Sequence, residues 1–565
     1  MSHQTKARLI QRLRAGHTSR RAFVGGTLAM GVAAGAARSV RAQPESIRQL
    51  DTVNGTFPLT EEQATLRVLA PSQPSVEDFA INEFTKWYEE KTNVHIDWEI
   101  VPRQGAQTSL NVRFAGGDIP DVIMGFQTVN GLPPVLQLLY GAQGAFLPLN
   151  DLIEAHGVET KRIFEQMPRA REVSTAPDGN IYALPRIAGC YHCTWPQKLW
   201  IYQPWLDQLG LAMPTTTDEF EQVLLAFKEQ DPNGNGDADE LPLVGATTGA
   251  QPLDSVFMNA FIFNPGEPWL TVSSGEVIAV YARPEWQEGV QYLARLYAQG
   301  LIAQETFTQD LDQLRRIATN PDVPIMGSVP ALAPSSFIDI SQEPGGRWRG
   351  YTTVPQLAGP AGVQFAAFDP YQAFGLGAVV ITSACAQPEL AFRWIDGLYD
   401  LETSMRINEG ALGEHWRWAE AGEVGNNGEP AVWARLVPFG QVQNFCWRGM
   451  SPCYRPEPVH SGQVADPELP SQPTILYQET AEKYVPYGQP AEMVLPPLFF
   501  NEEQAQQVAE MGNTINDYVE QTFAAAIIGE FDIEGQWEEY LGTLEGMGLE
   551  QYLAIHQAAL DARQV

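Results

Sequence analysis

Hydrophobic and polar residues follow two distinct periods in the first quarter of the chain. Residues 65–70 form a short apolar run, 94–100 alternate strictly between apolar and polar, and 121–125 are again apolar and end at a glycine. These runs predict three strands. Between them, the patterns at 82–92 and 105–116 predict helices. Strand, helix, strand, helix, strand is the order typical of a parallel α/β sheet.

The remainder of the chain repeats these signals, with a larger share of helix. Residues 378–381 form an apolar run that predicts a buried strand. Near the end, Asn501 and Gln504 are spaced as a capping box, so a long helix is predicted after Asn501. Helices are also predicted at 218–230, 286–299, 311–318 and 388–399.

Residues 1–42 are basic, with eight Lys and Arg residues and no acidic residue. Arg20 and Arg21 stand before a weakly apolar run at 24–37 and a cleavage-like stretch of small residues, which together resemble a twin-arginine export signal. The run is short, rich in glycine and stopped by Arg38, so it does not predict a membrane anchor. We expect this segment to be removed after export.

Composition narrows the possible functions. The 565 residues are too many for one ordinary core, so two or more domains are expected. Hydrophobic residues make up 44% of the chain and include 14 Trp, as in a folded protein. The formal charge is −33, or −33 − 8 = −41 without residues 1–42. Such a chain has no basic surplus for phosphate backbones, which argues against nucleic-acid binding.

Export makes disulfides possible among the five cysteines, Cys190, Cys193, Cys385, Cys446 and Cys453. Cys446 and Cys453 would close a small loop, and Cys190 would pair with Cys193 or with one of those two. A redox motif or a zinc site at 190–193 is disfavoured, because neither a thioredoxin-like context nor a second ligand pair is evident. No cysteine precedes Cys190, so the protein is expected to be periplasmic or extracellular without a lipid anchor.

The segment 231–240 reads DPNGNGDADE and concentrates oxygen-bearing side chains in ten residues. Hard cations such as Ca²⁺ take six to eight oxygen ligands, and alternate residues of a tight loop can present them. Asp231, Asn233 and Asn235 occupy positions 1, 3 and 5 of an EF-hand count. Position 12 is Pro242 instead of glutamate, so a closed structural calcium site is predicted, against the alternative of a plain Asn-Gly turn.

Seven short segments occur in the order of one known family. They are NEFTKWYEEKT at 82–92, GDIPDV at 117–122, LPLNDLI at 147–153, DGNIYALP at 178–185, the LWI and WLDQLGL pieces of 199–211, FRWID at 392–396 and PPLFF at 496–500. Together they make the chain resemble the extracellular solute-binding proteins of carbohydrate ABC importers. The resemblance is to the large subgroup that includes the alginate-oligosaccharide-binding periplasmic proteins.

The resemblance implies an α/β fold of two lobes, a periplasmic binding protein of the type II-like arrangement. Each lobe would be a mainly parallel sheet flanked by helices, with the ligand cleft between the lobes. The first lobe is expected at 65–187 and 375–435, and the second at 188–374 and 436–565. A flexible segment is expected before them at 43–64.

The same resemblance implies a metal and two partners. In that subgroup a loop of the DPNGNG type binds structural Ca²⁺. Carried over position by position, the ligands would be Asp231, Asn233, Asn235, Asp237 through its main chain, Asp239 and Glu240. The implied activity is capture of a carbohydrate by lobe closure and its delivery to an ABC membrane permease. The protein would act as a monomer and would not be an enzyme.

Sugars present apolar C–H faces and hydroxyl groups, so their sites use flat aromatic rings and fixed polar groups. Several aromatic and polar residues lie in stretches without a helix or strand pattern, and we predict that the ligand site draws on them. They are Tyr191, His192, Trp195, Trp269, Trp416, Trp447, Arg448 and Tyr454. By contrast, Trp87, Trp200 and Trp394 lie on faces of predicted elements and are expected in the cores.

The alternative function is an exported glycosidase or lyase, which would need a pair of carboxylates. The sequence contains no HExxH, GxSxG or P-loop motif, so a receptor is the better prediction. Arg448 is nearly alone as a basic residue in the candidate loops. The expected cargo is therefore a neutral oligosaccharide and not a uronate.

Overall fold

The computed structural model describes residues 57–129, 131–247, 251–340, 346–437 and 441–563. The predicted export signal lies outside these ranges. Within them the strands are β1 Ala64–Pro71, β2 Val94–Val101, β3 Val122–Met124, β4 Leu184–Ala188, β5 Leu199–Tyr202, β6 Leu241–Leu243, β7 Leu270–Ser273, β8 Glu276–Ala279, β9 Met326–Pro330, β10 Tyr351–Val354, β11 Phe374–Ile381, β12 Trp416–Trp418, β13 Trp433–Arg435 and β14 Tyr454–Arg455.

The α-helices of the described residues are distributed over the whole range. They are Glu83–Thr92, Ala106–Gly116, Pro134–Ala142, Asn150–His156, Glu159–Gln166, Pro168–Ser174, Gln203–Leu209, Thr217–Glu229, Leu253–Phe257, Pro284–Ala298, Leu311–Ala318, Pro388–Asp396, Leu401–Glu409, Glu457–Ser461, Gln472–Lys483, Glu502–Ile528, Trp537–Gly546 and Leu549–Arg563. None of them is both long enough and apolar enough to cross a lipid bilayer.

The larger sheet has the strand order β14-β4-β11-β3-β1-β2. β1 runs parallel to β2 and β3, and β14 runs parallel to β4, whereas β11 is antiparallel to both of its neighbours. Val68 and Leu69 follow each other in β1 but belong to different hydrophobic cores. Both faces of this sheet are therefore covered, as in other mostly parallel sheets.

The second sheet has the order β10-β5-β9-β6, in which β5 is the strand of opposite direction. Here too, successive residues feed two cores, since Ile201 packs in one and Trp200 in the other. The C-terminal helices complete the first of these cores, to which Ile515, Tyr540 and Tyr552 contribute. The protein thus has two α/β lobes, each built on its own sheet.

The elements predicted from periodicity are confirmed. The helix Glu83–Thr92 starts where the Asn82 side chain accepts the N–H of Phe84, and it ends at Asn93 with φ 57°. The helix Glu502–Ile528 begins with the predicted capping box, in which Asn501 and Gln504 each accept the other's backbone N–H. These local pairings satisfy the N–H groups that a helix start leaves open.

Two predicted boundaries differ from the structure. Leu59 is buried in the first lobe, and its N–H donates to the Thr92 carbonyl at 2.9 Å, so the segment predicted as flexible at 43–64 is fixed by residue 59. At the other end, β14 joins the larger sheet beside β4. The first lobe therefore extends past the predicted boundary at 435/436. A two-residue edge strand carries too little pattern to be recognised in sequence.

Candidate ligand-binding cleft

The carboxyl ends of the parallel strands define one edge of the larger sheet. β1 ends at Pro71 and β3 ends at Met124, while the antiparallel β11 begins at the same edge with Phe374. Gln73 and Gln127 follow the ends of β1 and β3 and therefore lie at this edge. Ligands of open α/β sheets bind at this edge, where the strand order reverses.

A polar cluster at this edge joins four chain segments. Gln73 Nε2 donates to the Arg448 carbonyl at 3.1 Å, and Gln127 Nε2 donates to the Gly449 carbonyl at 3.3 Å. The loop at 448–449 has left-handed backbone, with φ 47° and 79°. This conformation turns its carbonyls toward the two glutamine amides.

Arg186 completes the cluster from β4. A Cβ on Gly449 would lie 3.4 Å from the Arg186 guanidinium. A Cβ on Gly375 would lie 3.3 Å from the Cβ of Arg186 and 3.2 Å from Gln127 Cγ. Arg186 Nε and Gln127 Oε1 are buried and have no hydrogen-bond partner. One donor and one acceptor thus remain open for a ligand or water, since unpaired buried polar atoms are costly.

The second sheet presents the corresponding edge. β6 and β9 end there, β5 begins there at Leu199, and the connection 189–198 links this edge directly to the end of β4. Gln197 lies just before β5, where its Oε1 accepts from Asn259 Nδ2 at 2.7 Å and its Nε2 donates to the Asn264 carbonyl at 3.2 Å. The two sheet edges are therefore joined by one ten-residue connection.

A cavity of about 430 Å³ opens at the edge of the second lobe. Its wall contains four aromatic rings, three carboxylates, and amide and hydroxyl groups. The rings are Trp269, Trp286, Phe307 and Phe523, and the carboxylates are Asp254, Glu267 and Glu520. Among its described lining residues there is no Lys, Arg or His. Flat apolar rings with a few placed polar groups are the composition of a small-molecule site.

The carboxylates of this cavity differ in exposure. Asp254 is buried and accepts the indole N–H of Trp269 at 2.6 Å. Burial raises the pKa of Asp254, and the hydrogen bonds from Trp269 and Asn264 oppose that shift. Burial also raises the pKa of the more exposed Glu520, and the neighbouring charges of Glu267 and Asp254 add to it. The wall is an acceptor-rich surface that repels anions.

Two connections cross between the sheets, 189–198 from β4 to β5 and 355–373 from β10 to β11, and they pack against each other beside this cavity. The Ala188 N–H donates to Ala373 and the Asp369 N–H donates to Thr194, at 2.9 and 2.8 Å. The indole of Trp195 packs against the ring of Phe368, with the ring centroids 4.9 Å apart. A second cavity of about 360 Å³ lies against these connections and shares Pro196, Pro265, Gly266 and Glu267 with the first.

The structure places the predicted ligand-site residues in four different surroundings. Tyr191, His192 and Trp195 lie on the connection 189–198, where Tyr191 stacks on Tyr477 with centroids 4.3 Å apart. Trp269 forms part of the cavity wall. Arg448 lies in the polar cluster of the first lobe, through its carbonyl.

The remaining three residues, Trp416, Trp447 and Tyr454, pack in the hydrophobic interior, contrary to the expectation that they lie outside the cores. Trp416 and Trp447 are fully buried, and their indole N–H groups donate to the Gly410 carbonyl and to Thr85 Oγ1. Tyr454 is buried with its hydroxyl donating to Gln166. Each satisfies its one polar atom internally, as buried Trp and Tyr residues do.

Cys190 adopts one of its two predicted pairings. Cys190 and Cys193 form a disulfide at the turn Tyr191–Thr194. Cys446 and Cys453 are buried and free, so the small loop predicted between them is not closed, and Cys385 is also free. The pairing is local because the 3₁₀ turn brings residues three positions apart together.

The segment 231–240 is an ordered loop. The Asp231 carboxylate accepts the N–H groups of Gly234 and Gly236 at 2.9 and 3.0 Å, and Asn233 Oδ1 accepts from Asn235 N at 3.0 Å. Asp231 itself has a positive φ of 46°. The side chains of Asp231 and Asn233 thus fold over the loop's own backbone.

The donor set of this loop fits a hard cation. Glu240 Oε1 is buried without a hydrogen-bond partner. Burial raises the pKa of Glu240, and the charges of Asp231 and Asp239 raise it further. A divalent cation coordinated by these oxygens would supply the missing partner and offset the repulsion.

A family model for bacterial extracellular solute-binding proteins matches residues 68–402. The match spans more than half of the chain and runs from β1 to the helix Leu401–Glu409. The chain belongs to this family of solute-binding proteins. Its two lobes, its crossing connections and the facing sheet edges are the parts that such a protein uses to enclose a solute.

One relative of this solute-binding protein matches over nearly its full length. It is the fructooligosaccharide ABC transporter substrate-binding protein FusA of Streptococcus pneumoniae, which is 29% identical over 522 residues, 90% of this chain and 92% of FusA. The structure of FusA in complex with kestose has a TM-score of 0.69 at 27% identity and covers 88% of this chain and 99% of that chain. An EF-hand mutant of FusA in complex with fructo-nystose matches equally well.

Two further solved structures share the solute-binding fold. An extracellular solute-binding protein from Bifidobacterium longum subsp. infantis has a TM-score of 0.73 at 23% identity and covers 89% of this chain and 99% of that one. The alginate-binding protein AlgQ2, in a structure without calcium ion, has a TM-score of 0.63 at 20% identity with the same coverage. The two-lobed α/β fold expected from the sequence is thereby confirmed.

Residue type alone does not identify the polar half of the candidate cleft. Gln73 and Gln127 follow the predicted strands at 65–70 and 121–125, and that position at a strand's carboxyl end is a signal which sequence carries. Asp254 and Glu520 carry no comparable signal. They converge on one cavity only through the packing of the helix Glu502–Ile528 against the second lobe.

Proposed function

We propose that this protein is the substrate-binding component of an ABC importer and captures a neutral oligosaccharide between its lobes. The observation that carries the proposal is the cavity of about 430 Å³, with its aromatic wall and its acceptor-rich rim. The similarity to FusA over 92% of that protein's length supports the same cargo class. Fructooligosaccharides such as kestose are therefore the first ligands to test.

The chemistry of sugars accounts for the composition of both lobes. Trp269, Phe307 and Phe523 offer flat apolar surfaces for the C–H faces of a pyranose or furanose ring. Sugar hydroxyls both donate and accept, so they can pair with the open Gln127 Oε1 and Arg186 Nε on the first lobe. Carboxylates without a basic partner in the cavity disfavour an anionic ligand.

We assign the predicted residues different roles within this proposal. Tyr191, Trp195, Trp269 and Arg448 stay candidates for contact with the ligand, and so does His192, which lies on the same connection as Tyr191 and Trp195. Trp416, Trp447 and Tyr454 hold the first lobe from within its cores.

Capture would proceed by a shift between open and closed arrangements of the lobes. A ligand that touches both sheet edges stabilises the closed arrangement by its differential contacts. The connections 189–198 and 355–373 would absorb the change in backbone angles, as hinges do. The closed protein would then deliver its cargo to an ABC membrane permease, with no covalent step.

We further propose that the loop 231–240 holds structural Ca²⁺. The support is the buried, unpaired Glu240 Oε1 and the existence of an EF-hand in FusA. The ligands would be Asp231, Asn233, Asn235, the Asp237 main chain, Asp239 and Glu240. Bound calcium would supply positive charge that fixes the loop after the helix Thr217–Glu229.

The proposed location follows from the basic segment at 1–42. We propose export by the twin-arginine route, removal of this segment and a freely diffusing monomer in the periplasm or outside the cell. The absence of cysteine before Cys190 supports a protein without a lipid anchor.

The proposal is tested on residues 43–565 by thermal melting and titration calorimetry with kestose, maltotriose and an alginate trisaccharide. A ligand that binds only the folded state raises the melting temperature, so kestose is expected to raise it and the alginate to leave it unchanged. Chromatography of the mixture should recover the sugar intact. Cleaved sugar would favour the exported-enzyme alternative.

A matched pair of variants locates the site. Gln127→Ala removes an amide at the cleft and is expected to weaken kestose binding about tenfold, the equivalent of one lost hydrogen bond. Gln107→Ala removes the same group from the exposed face of the helix Ala106–Gly116 and should bind as the parent does. Equal affinity of both variants would place the sugar elsewhere.

A further inference from the structure

The connection between the lobes carries three potential metal ligands in one turn. Cys190 Sγ, His192 and Cys193 Sγ offer ligand atoms that all lie within 4.8 Å of one another. His192 Nε2 is 3.5 Å from Cys190 Sγ. The two cysteines have the C-x₂-C spacing that is typical of the first ligand pair of a structural zinc site.

A fourth ligand comes from a distant part of the sequence. The rings of His192 and His460 have centroids 6.4 Å apart. Two imidazoles on one tetrahedral zinc, with Zn–N bonds of about 2 Å, have centroids about 5 Å apart, so a small side-chain adjustment brings them together. His460 lies in the helix Glu457–Ser461, which follows β14.

The backbone holds these two segments in close contact. A Cβ added to Gly189 would lie 2.1 Å from the Glu457 N atom, so only glycine permits this approach. The Gly189 N–H donates to the Arg455 carbonyl at 2.8 Å. The turn bearing the cysteines is therefore fixed against the helix that bears His460.

The backbone of the turn is also held in place. The Cys193 N–H donates to the Cys190 carbonyl at 3.1 Å, and Lys198 Nζ donates to the carbonyls of His192 and Trp195. Ligands on a fixed backbone need little reorganisation to bind a metal, and outer contacts that hold them strengthen the site.

The complete site would be electrically neutral. Two thiolates, two neutral imidazoles and one Zn²⁺ sum to zero charge, so the site adds no net charge to its buried surroundings. The buried Arg455 beside the helix Glu457–Ser461 is balanced by Glu409 at 3.2 Å. Lys198 is fully buried beside the turn, and burial lowers its pKa to about 7.

We propose that, in the reduced protein, Cys190, His192, Cys193 and His460 form a tetrahedral S₂N₂ site for a zinc-class ion. Two sulphur and two imidazole ligands in this geometry select zinc over calcium or magnesium. The site is separate from the loop 231–240, whose ligands are all oxygen. It does not depend on which sugar the cleft binds.

The disulfide is the oxidised form of the same site. A phosphine and one water molecule break the S–S bond, with the phosphine oxidised to phosphine oxide and the two water hydrogens ending on two thiols. Metal binding then releases the two thiol protons. A chain that folds before export, as the twin-arginine proposal requires, would meet its metal with these thiols still reduced.

The experiment titrates Co²⁺ as a spectroscopic probe into residues 43–565 under anaerobic conditions, with the calcium loop saturated by Ca²⁺. After phosphine reduction, we expect the intense near-ultraviolet band of a thiolate–cobalt bond and the visible bands of tetrahedral Co²⁺. Both should saturate at one Co²⁺ per chain and disappear when Zn²⁺ is added. The oxidised protein should show neither band.

Two variants and one control separate this site from other thiols. His460→Gln keeps both cysteines and should weaken Co²⁺ binding by about tenfold or more, since a ligand is lost. Cys385→Ser removes a free cysteine of the first lobe outside the cluster and should leave the titration unchanged. His460→Gln needs no rearrangement of the turn, and the melting curve of its oxidised form checks its folding.

Several outcomes would overturn the proposal. One is that the reduced parent protein shows no thiolate–cobalt band. Another is that the band of His460→Gln is as strong as that of the parent protein at every Co²⁺ concentration. A band that Cys385→Ser abolishes would assign the metal to a different thiol. Kestose binding is measured separately on the oxidised protein, so failure here leaves the proposed receptor function intact.

Discussion

Asp254 is the buried carboxylate of the cavity wall, and the Trp269 indole lies 2.6 Å from it. Burial disfavours its ionised form, which raises its pKa above that of the unfolded chain. Between the unfolded and the folded pKa, the folded state holds more protons. The free energy of unfolding contributed by Asp254 therefore decreases as the pH rises through that window.

Asp254→Asn keeps an acceptor for the Trp269 N–H and removes the titration. We expect the variant to gain stability relative to the parent protein as the pH rises from about 4 toward 7, measured by urea unfolding of both proteins across this range. Asp322→Asn neutralises an exposed carboxylate and serves as the control. A parent–variant difference that stays constant with pH would show that Asp254 does not titrate in this window.

Residue type alone was a poor guide to the cleft. Trp416 and Trp269 both lie in stretches whose sequence shows no helix or strand pattern, yet one fills a small satellite core and the other lines the cavity. Both are buried, and a sequence pattern does not distinguish a satellite core under a loop from a ligand pocket. Only the fold decides which of them faces a cavity.

At the scale of single elements the sequence was far more informative. The capping box at Asn501 rests on local hydrogen bonds and occurs in the structure. The alternation at 94–100 rests on burial of one face, and it holds from Val94 to Asp97 but ends with Ile100 exposed. The strand β14 and the antiparallel direction of β11 depend on contacts with distant strands. No local pattern encodes them.

The loop 231–240 supports a prediction at this scale. Ca²⁺ at a hundredfold excess over its dissociation constant would stabilise the folded state by about 2.7 kcal/mol. We expect a melting temperature several degrees lower after chelation of the parent protein. Glu240→Gln should have a lower melting temperature in Ca²⁺ and a smaller response to chelation.

Glu229→Gln is the matched control, because it removes the same charge from the exposed end of the preceding helix. It should respond to chelation as the parent does. A Glu240→Gln variant with the full response would remove Glu240 from the ligand set. A parent protein indifferent to chelation would contradict the calcium site itself.

At the scale of the whole molecule, the two sheets are joined by connections that pack on each other. Ligand contact with both sheet edges should favour the closed arrangement. We expect the radius of gyration from small-angle X-ray scattering to decrease when saturating kestose is added. Sucrose at a concentration that calorimetry shows not to bind is the control. Calorimetric binding without a change in radius would mean that capture occurs within one lobe.

The order of strands in the larger sheet has a consequence for how the protein is made. β1 starts at residue 64, but the edge strand that covers β4 ends at Arg455. During synthesis, residues up to 455 must therefore leave the ribosome before this sheet can gain its edge strand. The core of the second lobe is completed later still, since it includes Leu560. A fragment that ends before residue 454 therefore lacks the edge strand of the larger sheet, and one that ends before residue 560 lacks part of the second lobe's core.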